Sequence, residues 1–292
     1  MKVIVDPNAG FCPGVDRAIR IVEKALSSGG RVCSLGQLVH NREETDRLSD
    51  QGLEVIDRDT IPAEHNTTVV FRAHGEPPES YEKAREKDVR LLDATCPVVK
   101  RLQMKVKREW ERISANNGQI VIFGKPGHPE VIGLSARTGH RAIIAENPDD
   151  IESVDFTRPV SVFSQTTMNP ADLEILKHNV RTASENSASK DENQISFFDT
   201  ICGHVVRREQ QLRNFASGVD AVIFVGGRNS SNARYLFNVC HTCNPRSFFI
   251  SRHDEIDTEQ LKKYQKVGIT GATSTPLWLI EKIADNLKQE GK

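Results

Sequence analysis

No run of apolar residues in this 292-residue sequence approaches the ~20 needed to span a bilayer. The opening "MKVIVDPNAGFCPGV" places a short apolar stretch before a turn, not a signal-peptide core. Charge of one sign is also missing. The 39 Lys and Arg are balanced by 40 Asp and Glu, interleaved to a net charge of −1, which excludes a polyanion-sized field for nucleic acid and a polybasic anchor for a membrane surface. Phosphate recognition, if present, must be local. Neither GxxxxGK[ST] nor a spaced GxGxxG opening a helix occurs, so nucleotide binding gains no support. The one CxxC, Cys240 to Cys243, has no second pair to complete a tetrahedral zinc site. These absences lead us to expect a globular, cytoplasmic protein whose six cysteines are reduced thiols or metal ligands.

What is present is an alternation of short apolar strands and amphipathic helices. "KVIV" precedes a helix around 14–27, "RVCSL" one around 41–51, "TTVVFRAHG" one around 78–87 and "VRLLDAT" one from 97 to about 115. Then "QIVIFG", "RAIIA" and "VSVFSQTT" lead to a helix from 170 to about 182, and "ISFFDT" to one ending near 217. "DAVIFVGG" leads to a helix at 230–241 and "KVGITGAT" to a last one at 276–289. This order predicts an α/β fold with mainly parallel sheets and ligands at the carboxyl ends of strands. The polar stretch "RTASENSASKDENQ" (181–194) reads as a linker; with a second boundary near Cys96 it divides the chain into 1–96, 97–194 and 195–292.

The passages "LLDATCPVVKR" and "FFDTICGHVVRR" repeat one pattern, with Cys96 and Cys202 at the same point of a strand-to-helix junction. Cys12 in "GFCPGV" stands at a third such junction. Proline follows Cys12 and Cys96, which suits a helix entry where the dipole favours a thiolate. A single cysteine is ordinarily a small core residue, but three at matching junctions point to a shared ligand. Thiolates select zinc, copper or iron-sulfur clusters. A cluster held by three distant thiolates leaves one iron without a protein ligand, open to substrate. Cys33, Cys240 and Cys243 read as structural.

Three histidines lie in loops: His40 in "LGQLVHN", His74 in "FRAHGE" and His128 in "GKPGHPE". Together they suggest an anion site, because imidazole donates to phosphate and carries charge. "VGGRNSSNARYL" adds Ser230, Ser231 and Asn232 at a helix start, suited to phosphate or to ordinary capping; "GITGATSTP" adds Ser274. Glu130, in a Gly/Pro-rich loop two residues after His128, is a candidate acid or base. Thr167, closing "VFSQTT", could position it or a substrate hydroxyl.

Nine motifs, "GFCPGV", "LGQLVHN", "AHG", "DATCP", "GHPEV", "SQTT", "DTIC", "NSSN" and "TSTP", occur in an order that resembles the 4-hydroxy-3-methylbut-2-enyl diphosphate reductase family, from Phe11 to Pro276. The resemblance implies a trefoil of three α/β domains around a central [4Fe-4S] cluster with one open iron site, held by Cys12, Cys96 and Cys202, with the C-terminal segment returning to the site. It implies reductive dehydroxylation of an allylic diphosphate, the last step of the methylerythritol phosphate route to isoprenoids, with electrons from ferredoxin or flavodoxin. It assigns proton delivery to Glu130 with Thr167 and His128. It assigns the diphosphate to His40, His74, His128, Ser230, Ser231, Asn232 and Ser274. The chain departs from the family after the third cysteine: Val205 and Val206 stand where hydroxylated residues are usual, while Arg208 keeps the family's arginine. The alternatives are a divergent paralogue, either a cluster-dependent hydro-lyase needing no electron donor or an enzyme for another allylic diphosphate, and a non-catalytic relative.

Overall fold

Proline opens half of the α-helices among the described residues. The computed structural model describes residues 1–64, 66–187 and 195–290. Among these the chain forms β1 (Lys2–Val5), α1 (Pro13–Ser27), β2 (Arg31–Leu35), α2 (Arg42–Asp50), β3 (Leu53–Ile56), β4 (Thr67–Phe71), α3 (Pro78–Glu86), β5 (Arg90–Asp93) and α4 (Pro97–Ile113). There follow β6 (Gln119–Phe123), α5 (Pro129–Ser135), β7 (Ile143–Ala145), β8 (Val160–Ser164), α6 (Pro170–Glu185), β9 (Ile195–Phe197) and α7 (Gly203–Ser217). The chain continues with β10 (Ala221–Val225), α8 (Ser231–Cys243), β11 (Ser247–Ile250), α9 (Thr258–Leu261), β12 (Lys266–Gly271) and α10 (Leu277–Glu290). Helices α1, α3, α4, α5 and α6 carry Pro at their first turn, where its missing N–H costs nothing and its fixed φ suits the helix. Asn41, Asn169, Ser230 and Asp257 cap α2, α6, α8 and α9 through side-chain oxygens.

The fold is α/β with three four-stranded sheets, of strand order β1-β12-β10-β11, β3-β2-β4-β5 and β7-β6-β8-β9. The first and third are parallel throughout, and β4 runs parallel to β5. Every residue of β4, β8 and β10 is buried, as expected for parallel strands covered on both faces. The chain's first strand lies beside β12, with Val5 opposite Ile269, so the N-terminus belongs to the sheet otherwise built by the C-terminal segment.

Two compact units divide the chain: Met1–Val55 with the segment from Gly203 onward, and Ile56–Cys202. In the first, α10 packs Leu279, Ile280, Ile283 and Leu287 against Ile223, Val225, Val267 and Ile269 of the sheet. In the second, Phe123, Val160 and Val162 meet Leu173, Leu176 and Val180 of α6. Leu102, Val106 and Ile113 of α4 meet Ile120, Ile122 and Phe163.

Two local expectations are corrected. Residues 129–135 form α5, where a Gly/Pro-rich loop was expected around Glu130; Pro129 starts the helix and Val131 and Leu134 bury its inner face. Helix α6 runs through Glu185 into the expected linker, and residues 188–194 of that stretch lie outside the described residues.

An ion pair sits beneath the first sheet's loops. Arg208 Nη1 of α7 lies 2.7 Å from Asp6 Oδ2, with both side chains buried. Arg208 Nη2 donates to Thr270 Oγ1 at 2.6 Å, and that hydroxyl donates to Asp6 Oδ2 at 2.7 Å. Arg208→Gln strands a buried carboxylate. We expect it to lower the free energy of urea unfolding by roughly 3–5 kcal/mol; a change below about 1 kcal/mol would show that Thr270 and the Asn8 N–H, which donates to Asp6 Oδ1 at 2.9 Å, suffice for Asp6.

Candidate functional site

Parallel register brings the candidate residues together within each unit. In the first sheet Val5 lies opposite Ile269, and Val225 opposite Gly271. The loops leaving β1, β10 and β12 therefore emerge at one end, carrying Cys12, the Gly226–Asn232 segment and Thr273–Ser274. Thr273 joins them: its carbonyl accepts the Cys12 N–H at 3.0 Å, and its hydroxyl accepts from Asn232 Nδ2 at 2.7 Å. Ser274 Oγ and Asn232 Oδ1 are buried with no hydrogen-bond partner. Ser230 Oγ accepts from the Ala233 N–H at 3.2 Å, so it caps α8; its own proton is still available to an acceptor. Ser231 is half-buried at the first turn.

His40 follows β2 in the same unit. The glycine pair after β10 exists for close approach. A Cβ on Gly227 would lie 1.8 Å from the His40 carbonyl oxygen, and one on Gly226 2.9 Å from Ala233 Cβ. Of the two family departures, Val205 is buried and Val206 is 47% exposed, so the second does not line a closed cavity.

In the second unit Phe123 lies opposite Ser164, and Val162 opposite Phe197. The loops after β6, β8 and β9 thus carry His128 with Glu130, Gln165–Thr167, and Cys202 to one end of the third sheet. Thr166 is the junction. Its N–H donates to Glu130 Oε1 at 2.7 Å and its hydroxyl to Oε2 at 2.8 Å, while its carbonyl accepts the Cys202 N–H at 2.8 Å. The residue that positions Glu130 is therefore Thr166 and not Thr167, which sequence reasoning had offered. Thr167 Oγ1 instead accepts from Gln165 Nε2 at 2.9 Å. The doubled threonine of "SQTT" was the available signal, but strand alternation alone does not tell which hydroxyl points inward.

Glu130 is fully buried, and desolvation pushes its carboxyl up to about 7, against the opposing pull of the two Thr166 hydrogen bonds. His128 caps α5 by accepting the Glu130 N–H at Nδ1, 3.1 Å away. An acceptor Nδ1 places the ring proton on Nε2, so His128 acts here as a neutral donor. Its ring stands edge-on to His74, with centroids 5.3 Å apart at 82°. Beside β4 and β5, whose ends pair as Phe71 and Asp93, the Cys96 N–H donates to the Ala73 carbonyl at 3.0 Å. That bond ties the second cysteine to the His74 turn.

All six cysteines lie among the described residues and none is in a disulfide. Cys12, Cys96 and Cys202 are half-buried, and each immediately precedes a helix. The remaining three have structural settings. Cys33 is fully buried in β2, and burial pushes the Cys240 thiol up to about 12. Cys243 is half-buried and lies 3.8 Å from Arg213 Nη1.

A family model described as LytB protein matches residues 3–288. The chain belongs to the LytB family. A LytB relative from Bacteroides thetaiotaomicron, named 4-hydroxy-3-methylbut-2-enyl diphosphate reductase, is 40% identical over 288 residues, covering 99% of this chain and 98% of the relative. A relative of the same name from Porphyromonas gingivalis is 41% identical over 290 residues, covering 99% of each. Among solved structures, the E-1-hydroxy-2-methyl-but-2-enyl-4-diphosphate reductase of Plasmodium falciparum superposes with a TM-score of 0.82 at 26% identity, over 98% of this chain and 87% of that one. A second, described as (E)-4-hydroxy-3-methyl-but-2-enyl diphosphate reductase, the terminal enzyme of the non-mevalonate pathway, gives a TM-score of 0.73 at 30% identity, over 99% of this chain and all of that one. The sequence resemblance and the fold class agree with these LytB matches.

Gly227→Ala forces the His40 backbone aside. We expect it to cost on the order of 2 kcal/mol and to move the His40 imidazole NMR resonances. Gly218→Ala, whose Cβ meets only carbonyl oxygens at 3.5 Å or beyond, should do neither; similar spectra for the two variants would refute the close-approach account.

Proposed function

We propose that this protein carries out the reaction of its LytB relatives, reductive removal of the allylic hydroxyl of (E)-4-hydroxy-3-methylbut-2-enyl diphosphate. One substrate, two electrons and two protons give isopentenyl or dimethylallyl diphosphate and one water. The observation that carries this reading is the Thr166 junction, which places a buried carboxyl group with a pKa near 7 beside the backbone of a cysteine at a helix entry. The relatives are named reductases, which favours this reaction over the hydro-lyase alternative.

The donor set fits an iron-sulfur cluster. Cys12, Cys96 and Cys202 are half-buried thiols at helix entries, outside any disulfide, and each is pinned by its own N–H to a loop carbonyl. Thiolates favoured by helix N-termini are the ligands such clusters take. When bound, a [4Fe-4S] cluster held by three thiolates supplies electrons and one iron with no protein ligand, a Lewis acid for the leaving oxygen.

Glu130 supplies the proton that makes water the leaving group. An ordinary carboxyl would be ionised at neutral pH; this one, raised to about 7, keeps a substantial protonated fraction. The Thr166 hydroxyl serves both states. It donates to the carboxylate, and it can turn to accept from the acid's O–H. Thr167, held through its oxygen by Gln165, keeps its own proton for the substrate hydroxyl.

The diphosphate is read by donors. His128 offers Nε2–H, and His40 and His74 add imidazole donors. Ser230, Ser231 and Ser274 offer hydroxyls. Asn232 can exchange its bond to Thr273, accepting from that hydroxyl through Oδ1 and turning its NH₂ to an oxyanion. Among the described residues no helix is long and apolar enough to cross a membrane. The reaction needs an external reductant, for which ferredoxin or flavodoxin in a reducing cytoplasm is the proposed source.

Anaerobic reconstitution with iron and sulfide, followed by substrate-dependent oxidation of a reduced viologen, tests the whole reading. Glu130→Gln should abolish turnover while keeping the cluster's absorbance; near-normal turnover removes Glu130 from the proton path. Its pH dependence has a definite sign. The native pKa is raised from 4.5 to about 7, so the wild type loses stability relative to Glu130→Gln as pH rises through that window, by up to roughly 3 kcal/mol. Thermal melts of both proteins at pH 5 and pH 8 check this. Cys202→Ser should lower bound iron after reconstitution, and a full complement would reject the ligand assignment.

A further inference from the structure

The chain is nearly neutral overall, yet α4 carries six cations: Lys100, Arg101, Lys105, Lys107, Arg108 and Arg112. All six are exposed, whereas its two acidic residues, Glu109 and Glu111, lie toward the C-terminal end. Glu109 is buried and bound to Arg112 and Ser161, which leaves Glu111 as the exposed acid, 3.7 Å from Lys107. At helical spacing Lys100, Met104, Lys107 and Arg108 share one face, and Met104, 47% exposed, is among the large apolar side chains left in solvent. Beside it, between α3 and α4, lies a pocket of ≈ 320 Å³ lined by four cations, Arg85, Lys100, Lys107 and Arg137, against two acids, Glu82 and Asp93, the latter 3.0 Å from Lys100 Nζ. Arg137 donates from Nη2 to the Glu76 carbonyl and Gln103 Oε1, both neutral acceptors, so its charge is not met by a carboxylate in these bonds.

We propose that this face of α4, with its pocket, is the docking surface for an acidic one-electron carrier protein. The proposal rests on the reductase reading, since that reaction consumes two electrons and the sequence has no flavin or nicotinamide motif to store them. Two reduced carriers each lose one electron; the allylic C–O bond breaks, two protons are taken up and water leaves. The placement is favourable because α4 starts immediately after Cys96. Lys100 stands one turn, about 6 Å of backbone rise, beyond that residue, so a carrier seated on the exposed face lies within a few turns of a proposed cluster ligand. An apolar centre ringed by cations suits a brief, salt-sensitive encounter with an acidic partner, whose carboxylates would enter the pocket. Outside α4 the chain carries 33 Lys and Arg against 38 Asp and Glu, so the remainder is net acidic and the cations of α4 stand out in sign.

The test pairs two electron donors of opposite charge with the cluster-loaded enzyme: a reduced acidic ferredoxin and reduced methyl viologen, a small radical cation. In Lys107→Glu/Arg108→Glu the ferredoxin-driven rate at low ferredoxin should fall at least tenfold, and the wild type's loss of rate with added salt should flatten. The viologen-driven rate should not fall, which also reports that the variant is folded. Met104→Asp should likewise weaken only the protein donor. A direct titration of oxidised ferredoxin, without substrate, should show at least tenfold weaker binding by the double variant. An unchanged ferredoxin-driven rate, an equal fall with both donors, or unchanged ferredoxin affinity overturns the proposal. So does a wild-type protein that binds short duplex DNA through these residues but not ferredoxin. If the wild type binds ferredoxin here but neither donor reduces the substrate, the reductase reading fails and the surface stands.

Discussion

Thr166 is the residue on which the second unit's chemistry depends. A buried carboxyl group has two ways to avoid the cost of an isolated charge: bind a proton or accept strong hydrogen bonds. Thr166 lets Glu130 use both, because its N–H and hydroxyl hold the two carboxylate oxygens while burial keeps the pKa near 7. The carbonyl of the same residue holds the N–H of Cys202. A shift of the β8 loop would therefore disturb the acid and the proposed cluster ligand together, which makes their separation a property of one residue's backbone.

The first unit uses the same device with different partners. Thr273 takes the Cys12 N–H on its carbonyl and the Asn232 amide on its hydroxyl, so a cysteine and a side chain proposed to read phosphate share one loop residue. In both units the junction follows a strand whose carboxyl end is level with those of its parallel neighbours. Parallel pairing fixes that alignment before any side chain contributes. The Asp6, Arg208 and Thr270 network extends it inward, fastening α7 to the loops that flank Cys12.

Electrostatic function in this protein is local. A net charge of −1 gives no long-range attraction for an anion, so the proposed diphosphate recognition rests on local hydroxyl, amide and imidazole donors. His128 shows how: as the cap of α5 it gives up Nδ1 to the Glu130 N–H and keeps Nε2–H as a donor. The cations of α4 are the opposite case, a solvent-facing concentration of charge on the helix that follows Cys96.

Much was legible in the sequence because local rules and tertiary demands agree. Strand-helix alternation, Pro after Cys12 and Cys96, and the cap at Ser230 each follow from short-range sterics or capping, and the structure places those elements within a few residues of expectation. Glu130 was legible as a candidate acid or base but not as helical, since "GKPGHPE" reads as turn chemistry until Val131 and Leu134 find a core to bury them. The neutral state of His128, the raised pKa of Glu130 and the choice of Thr166 over Thr167 were not legible at all. The sequence by itself determined which thiols, imidazoles and hydroxyls were available and at which strand ends they stand. Tertiary structure alone decided which of them meet and in what protonation state, because burial and hydrogen-bond direction depend on neighbours far away along the chain.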